Sequence, residues 1–193
     1  MAEPAVWGDN HSMATLPIYD DPQPEFVSVR EYLSTSYRPD CDYVDGRIEE
    51  RNLGEHDHGL LQAILGALFT NNRQAWQVRT VTEVRTQVKG SRFRVPDVSV
   101  LRADAPREPI IRHPQLIAIE ILSPEDRLNR MQEKVDDYVE FGVENIWVID
   151  PETRKAWTAD ASGFHIVQNG ELTVPETPIR VVLSELFAEL DRA

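Results

Sequence analysis

Arg94-Val95-Pro96-Asp97-Val98-Ser99-Val100 and Ile117-Ala118-Ile119-Glu120-Ile121-Leu122-Ser123-Pro124 decide the reading of this chain. Each is a strand-like run of apolar residues with one acid in its interior. A carboxylate taken out of water is costly unless a cation or hydrogen-bond donors compensate it. Alternation places Ala118, Glu120 and Leu122 on one face of their strand and Ile117, Ile119 and Ile121 on the other. Asp97 shares a face with Val95 and Ser99, directly after Pro96, which bends or ends pairing locally. Two such acids, on strands able to lie side by side, predict a shared divalent ion. Oxygen ligands without cysteine or histidine support favour Mg²⁺ or Mn²⁺ over zinc. One or two carboxylates, completed by water and phosphate oxygens, suit a site that cleaves phosphodiesters.

The remaining composition narrows the setting. With 193 residues, 41% of them hydrophobic, the chain is long enough for one domain with its own core. No apolar run approaches the roughly 20 residues of a membrane span. The N-terminus lacks the basic start and apolar stretch of a secretory signal. A single cysteine, Cys41, excludes an intrachain disulfide and a cysteine-rich zinc site. Together these predict a cytoplasmic protein with no membrane partner. The formal charge of −13 argues at first against nucleic acid, but its distribution alters that reading. Residues 56–115 hold nine bases against five acids, between two strongly acidic flanks, and this basic block surrounds Asp97. Arg79, Arg85, Arg92 and Arg94 bracket two strands there and are candidate DNA-phosphate contacts; a plain surface hairpin is the alternative.

Along the chain, residues 1–24 are proline-rich and aperiodic and are expected to form a loose tail, leaving 25–193 as a single domain. Ser28 with Glu31 forms a capping box for a helix through Tyr37. Asp45-Gly46 is a tight turn between two short strands. Leu61, Ile64, Leu65 and Leu68 recur at helical spacing over 55–72. Strands are expected near 76–88 and 93–101, then at 116–122, where Ser123-Pro124 ends the run. A helix over 127–141 presents Leu128, Met131, Val135 and Tyr138 inward, with Asp126, Glu133, Asp137 and Glu140 toward solvent, and Gly142 closes it. A strand at 145–149, a hairpin over 160–163 and a last helix at 184–190 complete a mixed α+β domain with a mixed sheet and three or four helices.

Several residues near these elements carry competing readings. Lys134 lies at the edge of its helix's apolar stripe, where it is a candidate cation beside a scissile phosphate; a snorkelling lysine covering apolar surface is the alternative. His58 opens the second helix as a site residue, or as a capping or core histidine. Glu49 and Glu50 are adjacent on a strand, face opposite ways, and supply at most one further carboxylate. Trp147 and Trp157 read as core aromatics rather than base-stacking platforms.

Taken in order, Tyr43-Val44-Asp45-Gly46, His58, Pro96-Asp97-Val98, Glu120-Ile121-Leu122-Ser123-Pro124, Lys134, Tyr138, Gly142-Val143 and Trp147-Val148-Ile149-Asp150-Pro151 form a series specific in combination. Over roughly residues 28–190 the chain resembles the Uma-type restriction-endonuclease family of the PD-(D/E)XK nuclease superfamily. The resemblance implies a restriction-endonuclease-like α/β domain, a central mixed sheet flanked by helices. It also implies Mg²⁺ or Mn²⁺ on Asp97, Glu120 and the Ile121 carbonyl, with Lys134 as catalytic cation and Glu50, His58 and Tyr138 as accessory positions. The superfamily's usual lysine two places after the glutamate is Leu122 here, and the following helix supplies Lys134 instead. Arg47 and Arg130 stand where the family often has glutamate and aspartate.

The expectation is a metal-dependent DNA endonuclease with no nucleotide cofactor, acting on duplex DNA as a homodimer. The rival expectation is a catalytically silent nuclease-fold module that holds DNA or protein. A third keeps Glu120 and Lys134 as a metal-free structural pair and leaves Asp97 unexplained.

Overall fold

The structure, a computed structural model, describes residues 26–51, 55–124 and 128–192. The expected tail over 1–24, Asp126 and the helix start at Arg127 lie outside these residues, as does the side chain of Leu128.

The chain opens with α1 (Val29–Ser34), capped as its sequence predicts by Ser28 Oγ, which accepts from the Glu31 amide at 3.2 Å. Two short strands follow, β1 (Asp42–Val44) and β2 (Arg47–Glu49). They turn through Asp45 and Gly46, both at positive φ, the backbone that a two-residue hairpin demands. Then come α2 (His56–Asn71), α3 (Arg73–Trp76), β3 (Val78–Thr82), β4 (Thr86–Lys89), β5 (Arg92–Arg94) and β6 (Val98–Arg102). The second half runs through β7 (Ile117–Ile121), α4 (Leu128–Phe141), β8 (Asn145–Asp150), β9 (Lys155–Asp160) and β10 (Gly163–Ile166). A last hairpin, β11 (Glu171–Thr173) and β12 (Arg180–Val182), leads into α5 (Leu183–Leu190). No described helix is long and apolar enough to cross a membrane.

The strands form a four-stranded sheet, β2-β1-β5-β4, and a six-stranded sheet, β10-β9-β8-β7-β6-β3. In the larger sheet β7 and β8 are parallel, joined through α4, and the other neighbours are antiparallel, so it is mixed as expected. Its two faces carry different loads. Val98, Val100, Ile117, Ile119 and Ile121 pack with Leu61, Leu65 and Phe69 of α2 and with Leu186 and Phe187 of α5. Ala118 packs on the opposite face with Val135 and Tyr138 of α4. Glu120 shares the Ala118 face by strand alternation, and therefore looks at α4. Tyr138 closes α4 through Gly142, whose φ of +92° lets both its own amide and that of Val143 return to the Tyr138 carbonyl.

Two expected strands are each divided. The stretch expected as a strand over 76–88 begins in α3 and splits into β3 and β4; that over 93–101 splits into β5 and β6. The members of each pair belong to different sheets. The crossing is made at Glu83, which has φ +53°, and at Pro96, whose carbonyl accepts from the Glu83 amide at 3.2 Å. Residues 86–94 thus leave the large sheet as a hairpin and build the small one. Asp97 stands at the corner where the chain returns. The hairpin β11–β12 escapes the sequence reading because each strand is only three residues long.

Four bases of the block are engaged by groups of the protein itself: Arg94 is buried and Arg79, Arg85 and Arg92 are half-buried, whereas Arg73, Lys89, Arg102, Arg107 and Arg112 are exposed. Arg94 is 1% exposed, donating from Nε to Asp137 Oδ2 at 2.7 Å and from Nη1 to Glu49 Oε2 at 2.9 Å and Asp42 Oδ2 at 3.3 Å. Asp137, expected to face solvent, is therefore buried: it is the carboxylate that ties α4 to β5. Arg92 donates to Asp45 and to the second oxygen of Asp137. Arg85 holds Asp40 and the carbonyls of Tyr32 and Thr35, with its guanidinium 4.5 Å from the Tyr32 ring centroid. Arg79 donates to the Ala105 carbonyl at 2.6 Å. The expectation of a DNA-tracking row is corrected for Arg94, which has no outward face; the donors of the half-buried Arg85 hold Asp40 and the end of α1.

Removing one partner of a buried, hydrogen-bonded ion pair typically costs about 3–5 kcal/mol, whereas exposed pairs are worth about 1 kcal/mol or less. Arg94→Met should therefore lower unfolding stability in urea by about 3–5 kcal/mol. Arg102→Ala, which breaks an exposed pair with Glu144, should change it by under about 1 kcal/mol. Similar midpoints and slopes for the two variants would contradict this assignment.

Candidate functional site

Asp97 and Glu120 come together because of register. In the antiparallel pairing of β6 with β7, Val98 lies opposite Ile119, so one step further Asp97 lies opposite Glu120. Residues directly opposite have Cβ atoms about 4.5–5.5 Å apart. The Ile121 amide donates to Asp97 Oδ2 at 2.7 Å and fixes that side chain across the strands. Both acids are 2% exposed.

Helix α4 supplies the partners of Glu120. Lys134 and Tyr138, four residues apart and hence on one face, reach its two oxygens separately. Lys134 Nζ donates to Oε2 at 2.9 Å and the Tyr138 hydroxyl to Oε1 at 2.5 Å. The snorkelling alternative for Lys134 is thereby set aside: the ammonium is paired within the fold, with Asp42 Oδ2 a further 3.7 Å away. Helix α2 supplies the partners of Asp97. His58 Nε2 lies 3.4 Å from Asp97 Oδ2, and Gln62, one turn on, donates to the Asp97 carbonyl at 3.1 Å. The remaining oxygen, Oδ1, is bound by Arg51.

These groups line one pocket with a cavity volume of about 50 Å³, enough for an ion with a few waters. Of the sequence candidates, Asp97, Glu120, Ile121, Lys134, His58 and both Glu49 and Glu50 border it, and Tyr138 stands behind Glu120. Arg94 borders it as the buried end of the ion-pair network, whereas Arg79, Arg85 and Arg92 lie elsewhere. Asp42 and Arg51 were missed. Asp42, between Cys41 and Tyr43, carried the same signal as Glu120, an acid amid buried neighbours, and it accepts from the Val95 amide at 2.8 Å. Arg51 carried none, lying in a charged stretch of alternating sign.

The electrostatics separate the two acids. Burial disfavours the Asp97 charge, but the contact with His58 and the charges of Arg51 and Lys134 outweigh it and hold the carboxyl below its ordinary value. For Glu120 burial dominates against Lys134, and the nearby Asp97 and Asp42 add to it, so its carboxyl is raised. Burial opposes the Lys134 charge too, yet Glu120, Asp42 and Asp97 prevail, and its ammonium stays protonated at neutral pH.

This donor set suits a hard cation. Among the described residues no three histidine, cysteine or acidic side chains form a ready metal cage. Mg²⁺ needs only one or two protein carboxylates, and a second positive charge would relieve the repulsion that Asp42 and Asp97 impose on Glu120.

A solved structure described as a putative nuclease belonging to DUF820, from Anabaena variabilis, superposes with a TM-score of 0.73. It is 21% identical, and the alignment covers 85% of this chain and 99% of that one, which establishes the shared fold. A DrdV–DNA complex aligns with a TM-score of 0.38 at 19% identity, over 68% of this chain and 11% of that one. No curated protein matches the chain. The family model Uma2, "putative restriction endonuclease", matches residues 29–182, which contain both acids, Lys134 and every other residue of the pocket. The chain belongs to the Uma2 family and has its nuclease-like fold.

Proposed function

We propose that the pocket is the active site of a metal-dependent endonuclease that hydrolyses DNA phosphodiester bonds. One observation carries this reading: two buried carboxylates face each other across paired strands, with an ammonium held on one of them. Asp97 and Glu120, with the Ile121 carbonyl beside them, would hold Mg²⁺ or Mn²⁺. Bound there, the ion would acidify a water and offset charge on the phosphate.

The chain's own groups have distinct tasks. Lys134, held on Glu120 beside the pocket, would orient the attacking water and balance charge at phosphorus. Tyr138, whose hydroxyl burial and Glu120 keep protonated, fixes the Glu120 rotamer through its hydrogen bond. His58 and the Ile121 amide do the same for Asp97. Contact with the strand at the pocket falls to Arg51 and the exposed Arg130, which line its wall, whereas Arg79, Arg85 and Arg92 lie away from it. The metal needs no nucleotide helper, and a cut through both strands is easiest for two copies of the chain acting as a homodimer.

A second reading is favoured by the saturation of the acids. Every carboxylate oxygen of Asp97, Glu120 and Asp42 already has a donor within the fold. On that reading the fold is a silent module that holds DNA or protein.

Supercoiled plasmid incubated with the protein and Mg²⁺ or Mn²⁺ separates the two. Nicked or linear product is expected from the parent and none after chelation. Asp97→Asn, Glu120→Gln and Lys134→Ala should each lower the rate by about 10²–10³-fold, the usual loss for a group that stabilises transition-state charge. Equal nicking by all four proteins would mean a contaminant. Retarded but intact plasmid would support the silent module.

A further inference from the structure

Arg51 stands where a metal would compete with it. It follows β2 and binds Asp97 Oδ1 through Nη2, while Nη1 lies 3.4 Å from Glu83 Oε1. Its side chain is 11% exposed and that of Glu83 is 52% exposed, so the guanidinium bridges the pocket floor and the molecular surface. The other Asp97 oxygen is engaged by the Ile121 amide and faces His58. Oδ1 is thus the oxygen that a divalent ion would have to take, and a guanidinium on the same oxygen would repel that ion at close range.

The neighbouring cations are placed differently. Lys134 is enclosed between Glu120 and Asp42. Arg94 is locked by three carboxylates and is sealed from solvent. Among the described cations bound to carboxylates of the pocket, Arg51 is the one with an exposed partner to retreat to.

We propose that Arg51 is a displaceable counterion. It neutralises Asp97 in the metal-free protein, an entering divalent ion expels it, and the released guanidinium turns to the rim beside Glu83, where it meets the phosphate of a bound strand. The inference rests on the metal-dependent reading above. It makes metal affinity an exchange, lowered by the contact that must first be broken, and it couples metal entry to the appearance of a phosphate-binding charge.

Calorimetric titration with Mn²⁺ tests it on the parent and on Arg51→Gln. The variant is expected to bind at least tenfold tighter, and to melt lower without metal but gain more from it, because Asp97 loses its counterion. In the parent, nuclear magnetic resonance with Mg²⁺ should move the Arg51 Nε–Hε signal together with the Ile121 amide, a result that does not require the variant to fold. An Ile121 amide that responds while Arg51 stays still, or a variant that binds equally or more weakly, would overturn the counterion and leave the metal site standing. No heat and no shift in either protein would overturn both.

Discussion

Buried negative charge governs this molecule. Asp42, Asp97, Glu120 and Asp137 are all nearly sealed from water at the joint between the two sheets and α4. None would be tolerable there alone, because the loss of hydration for one ion exceeds what packing returns. They are tolerated because Arg94, Lys134 and Arg51 arrive from β5, α4 and the end of β2 to stand among them. The joint is therefore an alternating cluster of charge rather than an apolar seam. Its members belong to elements far apart in sequence, so folding and charge neutralisation happen together.

This arrangement explains why a strongly acidic protein has a basic centre. The bases between residues 56 and 115 answer acids contributed by both flanks: Asp40, Asp42, Asp45 and Glu49 before them, Asp137, Glu140 and Glu144 after. Part of what looks in a linear count like a surface for polyanions is thus a set of counterions to the chain's own acids, some buried and some exposed. The cations left facing the pocket are few, and they sit close to the chemistry.

Much of this was legible in the residues. Period-two alternation around Glu120 gave its face correctly, because β7 is buried on both sides and flanked by strands that fix it. Helical spacing put Met131, Val135 and Tyr138 inward for the same reason. Asp137 was misplaced because a helical wheel assigns acids to solvent and knows nothing of Arg94 across the space between elements. The sheet crossing at Glu83 and Pro96 was hidden too, although Pro96 signalled a break, since local pattern cannot say which partner a strand will choose. Arg51 was invisible because its role is set by a contact with Asp97, 46 residues away.

Pro96 also carries a consequence for how the protein can go wrong. With no amide hydrogen it cannot extend the ladder of β6, which holds Val98 against Ile119. A slip of one residue would part Asp97 from Glu120 and push Val98 and Val100 out of the apolar layer beneath. Misalignment of the acids and exposure of sticky side chains are thus the same error. A copy with a faulty pocket advertises itself to chaperones and proteases, so a wrongly assembled chain is also one that a cell can recognise and discard.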